Sequence, residues 1–145
     1  MNGYVLDTSA LSRFAPGKPP IPSEVAEKLR RQHAALFVPT IAIAEVRAGI
    51  CKAQRAGATT KAAELGKWFL GFRFRFAAQV LDFDQDAADR AGEIGDAAMG
   101  IGRHPGFADV AIAGIARARG MAVLTENVRH FQPLGIPVHT FETMP

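Results

Sequence analysis

Short apolar segments alternate with longer helical patterns along this chain, and that alternation restricts the fold more than any other feature. The apolar segments are "YVL" at 4–6, "ALFVP" at 35–39, "QVLDFD" at 79–84, "MAVLT" at 121–125 and a fifth candidate, "IPVHTF", at 136–141. Each has the length and composition of a buried strand. Strands that alternate with helices predict the α/β class, with a central parallel sheet of about four or five strands and helices on both faces.

Two helical patterns follow one another without an intervening strand, so we expect a helical hairpin. The first runs from about Ile41 to Ala56 and the second from about Lys61 to Phe72, with apolar residues at 62, 65, 69 and 72. Thr40 precedes the first of them and is predicted to cap it, as Ser23 is predicted to cap an earlier helix.

The totals favour a soluble cytoplasmic protein without membrane association. A chain of 145 residues is most simply a single domain over residues 1–145, and no apolar run reaches the roughly 20 residues of a membrane span. The N-terminus has no secretion signal, and the single cysteine, Cys51, cannot form an internal disulfide. A net charge of +3 favours acidic partners such as nucleic acid.

Three carboxylates stand in apolar surroundings. Asp7 follows the first strand, Glu45 lies in "TIAIAEVRAGI", where we expect it to be buried, and Asp109 lies in the first turn of "FADVAIAGIA", a predicted buried helix. Each stands near the point where a helix begins after a loop or strand. Because open parallel sheets gather ligands at the carboxyl ends of their strands, we expect the three acids to converge.

Each acid also has a simpler explanation. Asp7 or Thr8 could only cap the following helix, Lys52 or Arg47 could fold back to pair with Glu45, and Asp109 could only complement a helix dipole. The sequence leaves these alternatives open.

Converging carboxylates repel each other, which raises their pKa values unless a multivalent cation lies among them. Oxygen ligands without a cysteine or histidine cluster suit Mg²⁺ or Mn²⁺. Such an ion binds phosphate, activates water and stabilises a leaving oxyanion, which is the chemistry of phosphodiester hydrolysis.

Four motifs in order resemble those of PIN-domain proteins of the VapC toxin group. They are "VLDTSALS", "TIAIAEVRAGI", "FADVAIAGIA" and "LTENVRHF", and together they span most of the chain. The resemblance implies a PIN-like α/β/α sandwich and a metal-dependent endoribonuclease that hydrolyses RNA. It also implies that this ribonuclease is the toxin of a toxin–antitoxin pair.

The resemblance also assigns roles to residues. It implies that Asp7, Glu45 and Asp109 are the acidic site residues, and that Asp7 and Asp109 bind Mg²⁺ or Mn²⁺ directly. The supporting residues beside them are Thr8, Ser9 and Thr125, whose hydroxyls would orient the carboxylates or a water molecule.

The last motif departs from the family pattern. Family members have an acid at the position of His130 or of Asn127, and this chain has neither. We therefore expect a three-acid site in which Asn127 contributes through its amide and a second metal ion is held less tightly. His130 could contact substrate phosphate, but packing beside Phe131 is the expected role.

The partners implied by the resemblance are a VapB-like antitoxin, which would bind through an extended segment near the acids, and a second copy of the chain. The resulting hetero-oligomer would bind operator DNA through the antitoxin. The alternative hypothesis is a PIN-like binding module of little or no nuclease activity that helps an antitoxin to bind DNA. The altered last motif favours this alternative, and the three intact acids oppose it.

Overall fold

Five short strands form one parallel sheet in the computed structural model, which describes residues 3–145. They are β1 (Tyr4–Leu6), β2 (Leu36–Pro39), β3 (Val80–Leu81), β4 (Ala122–Leu124) and β5 (Val138–His139). Their order across the sheet is β3-β2-β1-β4-β5, and every neighbouring pair is parallel. This confirms the α/β class and the parallel sheet.

Within residues 3–145, seven α-helices connect and cover the strands. They are α1 (Thr8–Ser12), α2 (Ser23–Arg31), α3 (Thr40–Arg55), α4 (Thr59–Arg75), α5 (Gln85–Gly100), α6 (Phe107–Arg119) and α7 (Val128–Phe131). Short 3₁₀ turns lie at His33–Ala35, Ala77–Gln79 and Gln132–Leu134. Over the described range, 3–145, no helix combines the length and the apolar character that a bilayer crossing demands.

The two faces of the sheet carry separate hydrophobic cores, which gives the predicted α/β/α sandwich. Alternate strand residues point to opposite faces. Val5 and Val123 contribute to the core that contains the buried sides of α5 and α6. Leu6 and Leu124 contribute to the other core, which contains Phe72 of α4 and the residues of α1 and α2 that are buried.

Helices α5 and α6 pack closely because small residues lie between them. Gly114 has no room for a side chain, since a Cβ atom there would lie 2.5 Å from the carbonyl oxygen of Ala87 and 2.8 Å from the Cβ of Ala91. Residues 110–116 of α6 are all buried. The predicted buried helix is thereby confirmed, and its close packing fixes the position of its N-terminal turn.

Helices α3 and α4 pack together as the expected hairpin, and Ala62, Phe69 and Phe72 of α4 are buried. The two predicted threonine and serine caps were wrong. Ser23 and Thr40 are the first residues of their helices, each follows a proline, and neither helix has a side-chain cap. The Thr40 hydroxyl instead accepts a hydrogen bond from the Phe83 amide at 3.3 Å.

Candidate functional site

The strand order reverses between β1 and β4, and this is where the predicted site residues lie. The chain runs outward from β1 to β2 and β3, and then returns to place β4 on the other side of β1. Asp7 follows β1 directly and Thr125 follows β4 directly. The carboxyl ends of the two strands therefore bring these side chains together at the crevice where open α/β sheets bind ligands.

Asp7 is buried, with 4 % of its surface exposed. Its Oδ1 accepts hydrogen bonds from the Ala10 amide at 2.8 Å and the Ser9 hydroxyl at 2.7 Å, so Asp7 also caps α1. Its Oδ2 accepts from the Thr125 hydroxyl at 2.6 Å. Burial raises the pKa of the Asp7 carboxyl, the three donors oppose that rise, and the nearby charge of Asp109 adds to it.

The hydroxyls that hold Asp7 also hold the segment after β4. Thr125 is fully buried, and its Oγ1 accepts a hydrogen bond from the Asn127 amide at 2.8 Å. The Ser9 Oγ accepts from the Glu126 amide at 2.9 Å. One hydrogen-bonded network therefore fixes the Asp7 carboxylate relative to both neighbouring segments, which prepares the carboxylate to bind a ligand without rearrangement.

Glu45 is exposed, so the predicted burial of this carboxylate was wrong. The first two turns of α3 are apolar, yet only Ala42 and Ile50 of the whole helix are buried, because one side of α3 remains open to solvent. Glu45 accepts a hydrogen bond from the Thr8 hydroxyl. The alternative in which Arg47 pairs with it is not realised, since the Arg47 guanidinium lies over the Phe69 ring.

Asp109 occupies the first turn of α6, and 29 % of its side chain is exposed. Its Oδ2 lies 3.4 Å from the Nδ1 of His130. Burial raises the pKa of the Asp109 carboxyl; the adjacent His130 opposes that rise, whereas the charge of Glu45 adds to it.

Asp7, Glu45 and Asp109 line one open pocket of about 510 Å³, which we call the acidic pocket. Its other polar lining residues are Thr8, Ser9, Ser12, Arg13, Lys18, Glu126 and Asn127. The structure thus brings the three acids, two of the supporting hydroxyl residues and Asn127 to one place. Thr125 contacts this site indirectly, because its buried hydroxyl donates a hydrogen bond to the Asp7 carboxylate.

Two cationic residues of this pocket, Arg13 and Lys18, were not identified from the sequence. The Arg13 guanidinium pairs with Glu126 at 2.7 Å and with Glu142 at 2.9 Å, so it ties the segment after β4 to the C-terminal segment. These partners are 113 and 129 residues away from Arg13 in the chain. No local spacing signals such a contact.

The residues of the altered last motif lie at the edge of the acidic pocket. Asn127 is exposed, and its main-chain amide bonds to Thr125. The expectation that His130 packs beside Phe131 was wrong: the side chain of His130 is 62 % exposed and contacts Asp109, whereas Phe131 is buried. His130 and Phe131 differ in exposure because consecutive residues of the helix α7 point to different sides of it.

The carboxylate oxygens of the acidic pocket suit a hard cation whose remaining coordination positions are filled by other ligands. Among residues 3–145, no group of three histidine, cysteine, aspartate or glutamate side chains is close enough to form a ready-made metal cage. Mg²⁺ requires no such cage, because it usually takes one or two protein carboxylates and fills its remaining positions with water and phosphate oxygens. Asp7 and Asp109, whose pKa values are raised by burial, are oxygen donors of that kind.

Comparison with known proteins agrees with this geometry. Residues 4–133 match the PIN domain family. The chain is 30% identical over 132 residues to a tRNA(fMet)-specific endonuclease VapC of Shigella flexneri, and the match covers 91% of this chain and 92% of that protein.

Solved structures show the same fold. The chain is similar to a chain of the DNA-bound VapBC structure from Salmonella typhimurium, with a TM-score of 0.82, 27% identity and coverage of 97% of this chain and 99% of that one. It also resembles a chain of FitAcB from Neisseria gonorrhoeae, with a TM-score of 0.81, 23% identity and the same coverage. The chain therefore belongs to the PIN-domain family, as a VapC-type member of it.

Proposed function

We propose that this protein is a metal-dependent endoribonuclease that hydrolyses RNA phosphodiester bonds as the toxin of a VapBC-type pair in the cytoplasm. The observation that carries the proposal is the meeting of Asp7, Glu45 and Asp109 in one open pocket at the strand-order reversal. Three acids in one pocket are costly for a protein that only binds partners, because their charges repel. The 30% identity to an endonuclease supports the same conclusion.

We assign direct metal binding to Asp7 and Asp109. The donor set favours Mg²⁺ or Mn²⁺, which when bound supplies activation of water and stabilises negative charge on phosphate oxygens. Thr125 and Ser9 orient the Asp7 carboxylate through their hydrogen bonds, so its position does not depend on the ligand.

Glu45 and Asn127 complete the proposed catalytic residues. The Glu45 carboxylate is exposed to solvent and held by the Thr8 hydroxyl, which suits a group that orients a water molecule and accepts its proton. The exposed Asn127 can donate its side-chain amide to a substrate oxygen without adding a negative charge.

A VapB-like antitoxin is the proposed protein partner. A groove of about 420 Å³ continues from the acidic pocket between α3 and α4, because Thr8 and Glu45 line both. Trp68 lines this groove, and its indole Nε1 is a buried donor without a partner among the described residues. An extended antitoxin segment would lie in this groove, against the ring of Trp68.

We also propose homodimerisation and operator-DNA binding through the antitoxin. This part rests on the similarity to a chain of a VapBC structure solved with DNA.

Trp68 is the sole tryptophan, so its fluorescence reports directly on antitoxin binding. We expect the emission to shift to shorter wavelength when the antitoxin encoded beside the protein is added.

The decisive experiment is incubation of purified, antitoxin-free protein with total bacterial RNA in Mg²⁺, in Mn²⁺ and in chelator. We expect discrete fragments with either metal and none with chelator. Asp7→Ala and Asp109→Ala should abolish cleavage, whereas Asp89→Ala, which changes an exposed acid on α5 outside the acidic pocket, should not. Sequencing the fragment ends would identify the RNA and its cleavage site.

The altered last motif supports the binding module as a second candidate, because neither Asn127 nor His130 supplies a fourth acid. Intact RNA in every condition, from a folded protein that still binds its antitoxin, would establish this candidate and reject the nuclease.

A further inference from the structure

A second pocket adjoins the acidic pocket and has the opposite character. It has a volume of about 320 Å³ and lies between the loop before α6 and the residues of α7. Its charged and histidine residues are Arg103, His104, Asp109, Arg129 and His130. Asp109 also lines the acidic pocket, so the two pockets share a wall. We call this second site the basic pocket.

The two arginines of the basic pocket are exposed, and within residues 3–145 their guanidinium groups have no hydrogen bond, ion pair or ring contact. Arg13 in the acidic pocket differs from them, because two glutamates neutralise it. Unpaired guanidinium groups retain their full capacity for charge-assisted hydrogen bonds, and phosphate is a ligand that matches their geometry.

The backbone of the basic pocket also favours an anion. Gly106 lines the pocket and precedes α6, a helix of 13 residues that has no side-chain cap. The N-terminal end of α6, which is the positive end of the helix dipole, therefore lies at the pocket that the two arginines line. Asp109 is the only carboxylate among the lining residues.

We propose that the basic pocket binds a phosphate of the RNA strand adjacent to the phosphate that is cleaved. The inference rests on the proposed ribonuclease function, because the shared Asp109 wall places the two phosphate sites side by side along one strand. Binding of the neighbouring phosphate by Arg103 and Arg129 fixes which linkage enters the acidic pocket, so these arginines are positioning residues rather than catalytic ones.

The first test measures binding of a fluorescent RNA that spans the mapped cleavage site, in chelator and at several salt concentrations. We expect Arg103→Ala and Arg129→Ala each to weaken binding about tenfold. Each should also lower the salt dependence by about 0.7 in the logarithmic slope, the value for one phosphate contact on a single strand. Arg55→Ala is the matched control, because Arg55 is an equally unpaired and exposed arginine at the end of α3.

The second test replaces one phosphate at a time in the same RNA by a neutral methylphosphonate. Replacement of one linkage next to the cleaved one should weaken binding to the wild-type protein. The same replacement should have no further effect on binding to the Arg103→Ala/Arg129→Ala protein. Equal losses in both proteins at every linkage would overturn the proposal. Displacement of the RNA by AMP at a concentration near the Kd of the RNA would also overturn the proposal, because the basic pocket would then recognise a terminal phosphate.

The outcomes separate the two proposals. A wild-type protein that neither binds nor cuts RNA rejects the ribonuclease and, with it, this assignment. A wild-type protein that cuts RNA, with arginine variants that behave like Arg55→Ala, rejects the basic pocket alone. Cleavage with a raised KM and an unchanged kcat in the arginine variants supports both.

Discussion

The hydroxyl of Thr125 donates a hydrogen bond of 2.6 Å to the Oδ2 of Asp7, across 118 residues of sequence. Both residues are almost completely buried, at the ends of two adjacent parallel strands. The same Thr125 oxygen accepts from the Asn127 amide, so one hydroxyl links the carboxylate of β1 to the loop after β4. In the proposed site, this buried hydroxyl orients the carboxylate for a metal ion.

Thr125→Val tests this relationship. Valine has nearly the same shape but no donor, so we expect metal affinity and cleavage to fall about 10–100-fold, the usual effect of removing a group that orients a metal ligand. The pKa of Asp7 should rise further, since the Thr125 bond opposes the effect of burial. Cleavage assays with Mn²⁺ titration measure the loss. Thr125→Ser keeps the donor and should restore activity; equal losses in both variants would contradict the proposed role.

Asp7→Asn should raise the stability of the metal-free protein while it abolishes cleavage. Burial raises the pKa of Asp7 above its ordinary value of 3.8. At pH values between this ordinary pKa and the raised pKa, the folded chain therefore binds more protons than the unfolded chain. The free energy of unfolding therefore falls as pH rises through that window. At neutral pH asparagine removes the cost of burying the charge and can still cap α1.

We expect the Tm of Asp7→Asn in chelator to exceed that of the wild type by about 2 °C or more at pH 7.5. The difference should shrink as the pH falls and disappear well below pH 3.8, where the wild-type carboxyl is protonated in both the folded and the unfolded state. Asp89→Asn, at an exposed position of α5, serves as the control and should leave the Tm unchanged. A lower Tm for Asp7→Asn at pH 7.5 would show that its charged hydrogen bonds outweigh the burial cost.

Divalent metal should stabilise the wild type in a pH-dependent manner. A ligand at 100 times its Kd adds about 2.7 kcal/mol to the free energy of unfolding, which corresponds to a Tm increase of about 5–10 °C in a chain of this size. Protons compete for Asp7 and Asp109, whose pKa values are raised, so the gain should shrink as pH falls toward those values. Differential scanning fluorimetry at several pH values measures this. The Asp7→Asn/Asp109→Asn variant should gain nothing from Mg²⁺ or Mn²⁺.

Gly114→Ala should destabilise the fold by about 1–3 kcal/mol, because the new methyl group would overlap with α5 and must push the helices apart. Gly92→Ala is the matched control: Gly92 lies in α5 with open space around its Cα, so alanine there should stabilise the helix by up to about 1 kcal/mol. Urea unfolding of both variants measures the difference. Equal midpoints would show that the contact between α5 and α6 adjusts without cost.

The sequence by itself determined the order of the main strands and helices and the positions of the acids near the starts of helices. Period and composition were sufficient there, because each strand is a short apolar run and the segment 110–116 of α6 is buried on all sides. The motifs of Asp7, Glu45 and Asp109 identified the family for the same reason, since an acid near the start of an apolar helix is a local pattern.

The tertiary structure alone decided which surface of α3 is open, and it left Glu45 exposed where its apolar neighbours suggested burial. It also decided that His130 contacts Asp109 instead of packing beside Phe131, and that Arg13 joins Glu126 to Glu142. Exposure and long-range pairing depend on which elements meet in space. A sequence pattern reports the preference of one segment, whereas these contacts are set by the packing of several segments at the carboxyl edge of the sheet.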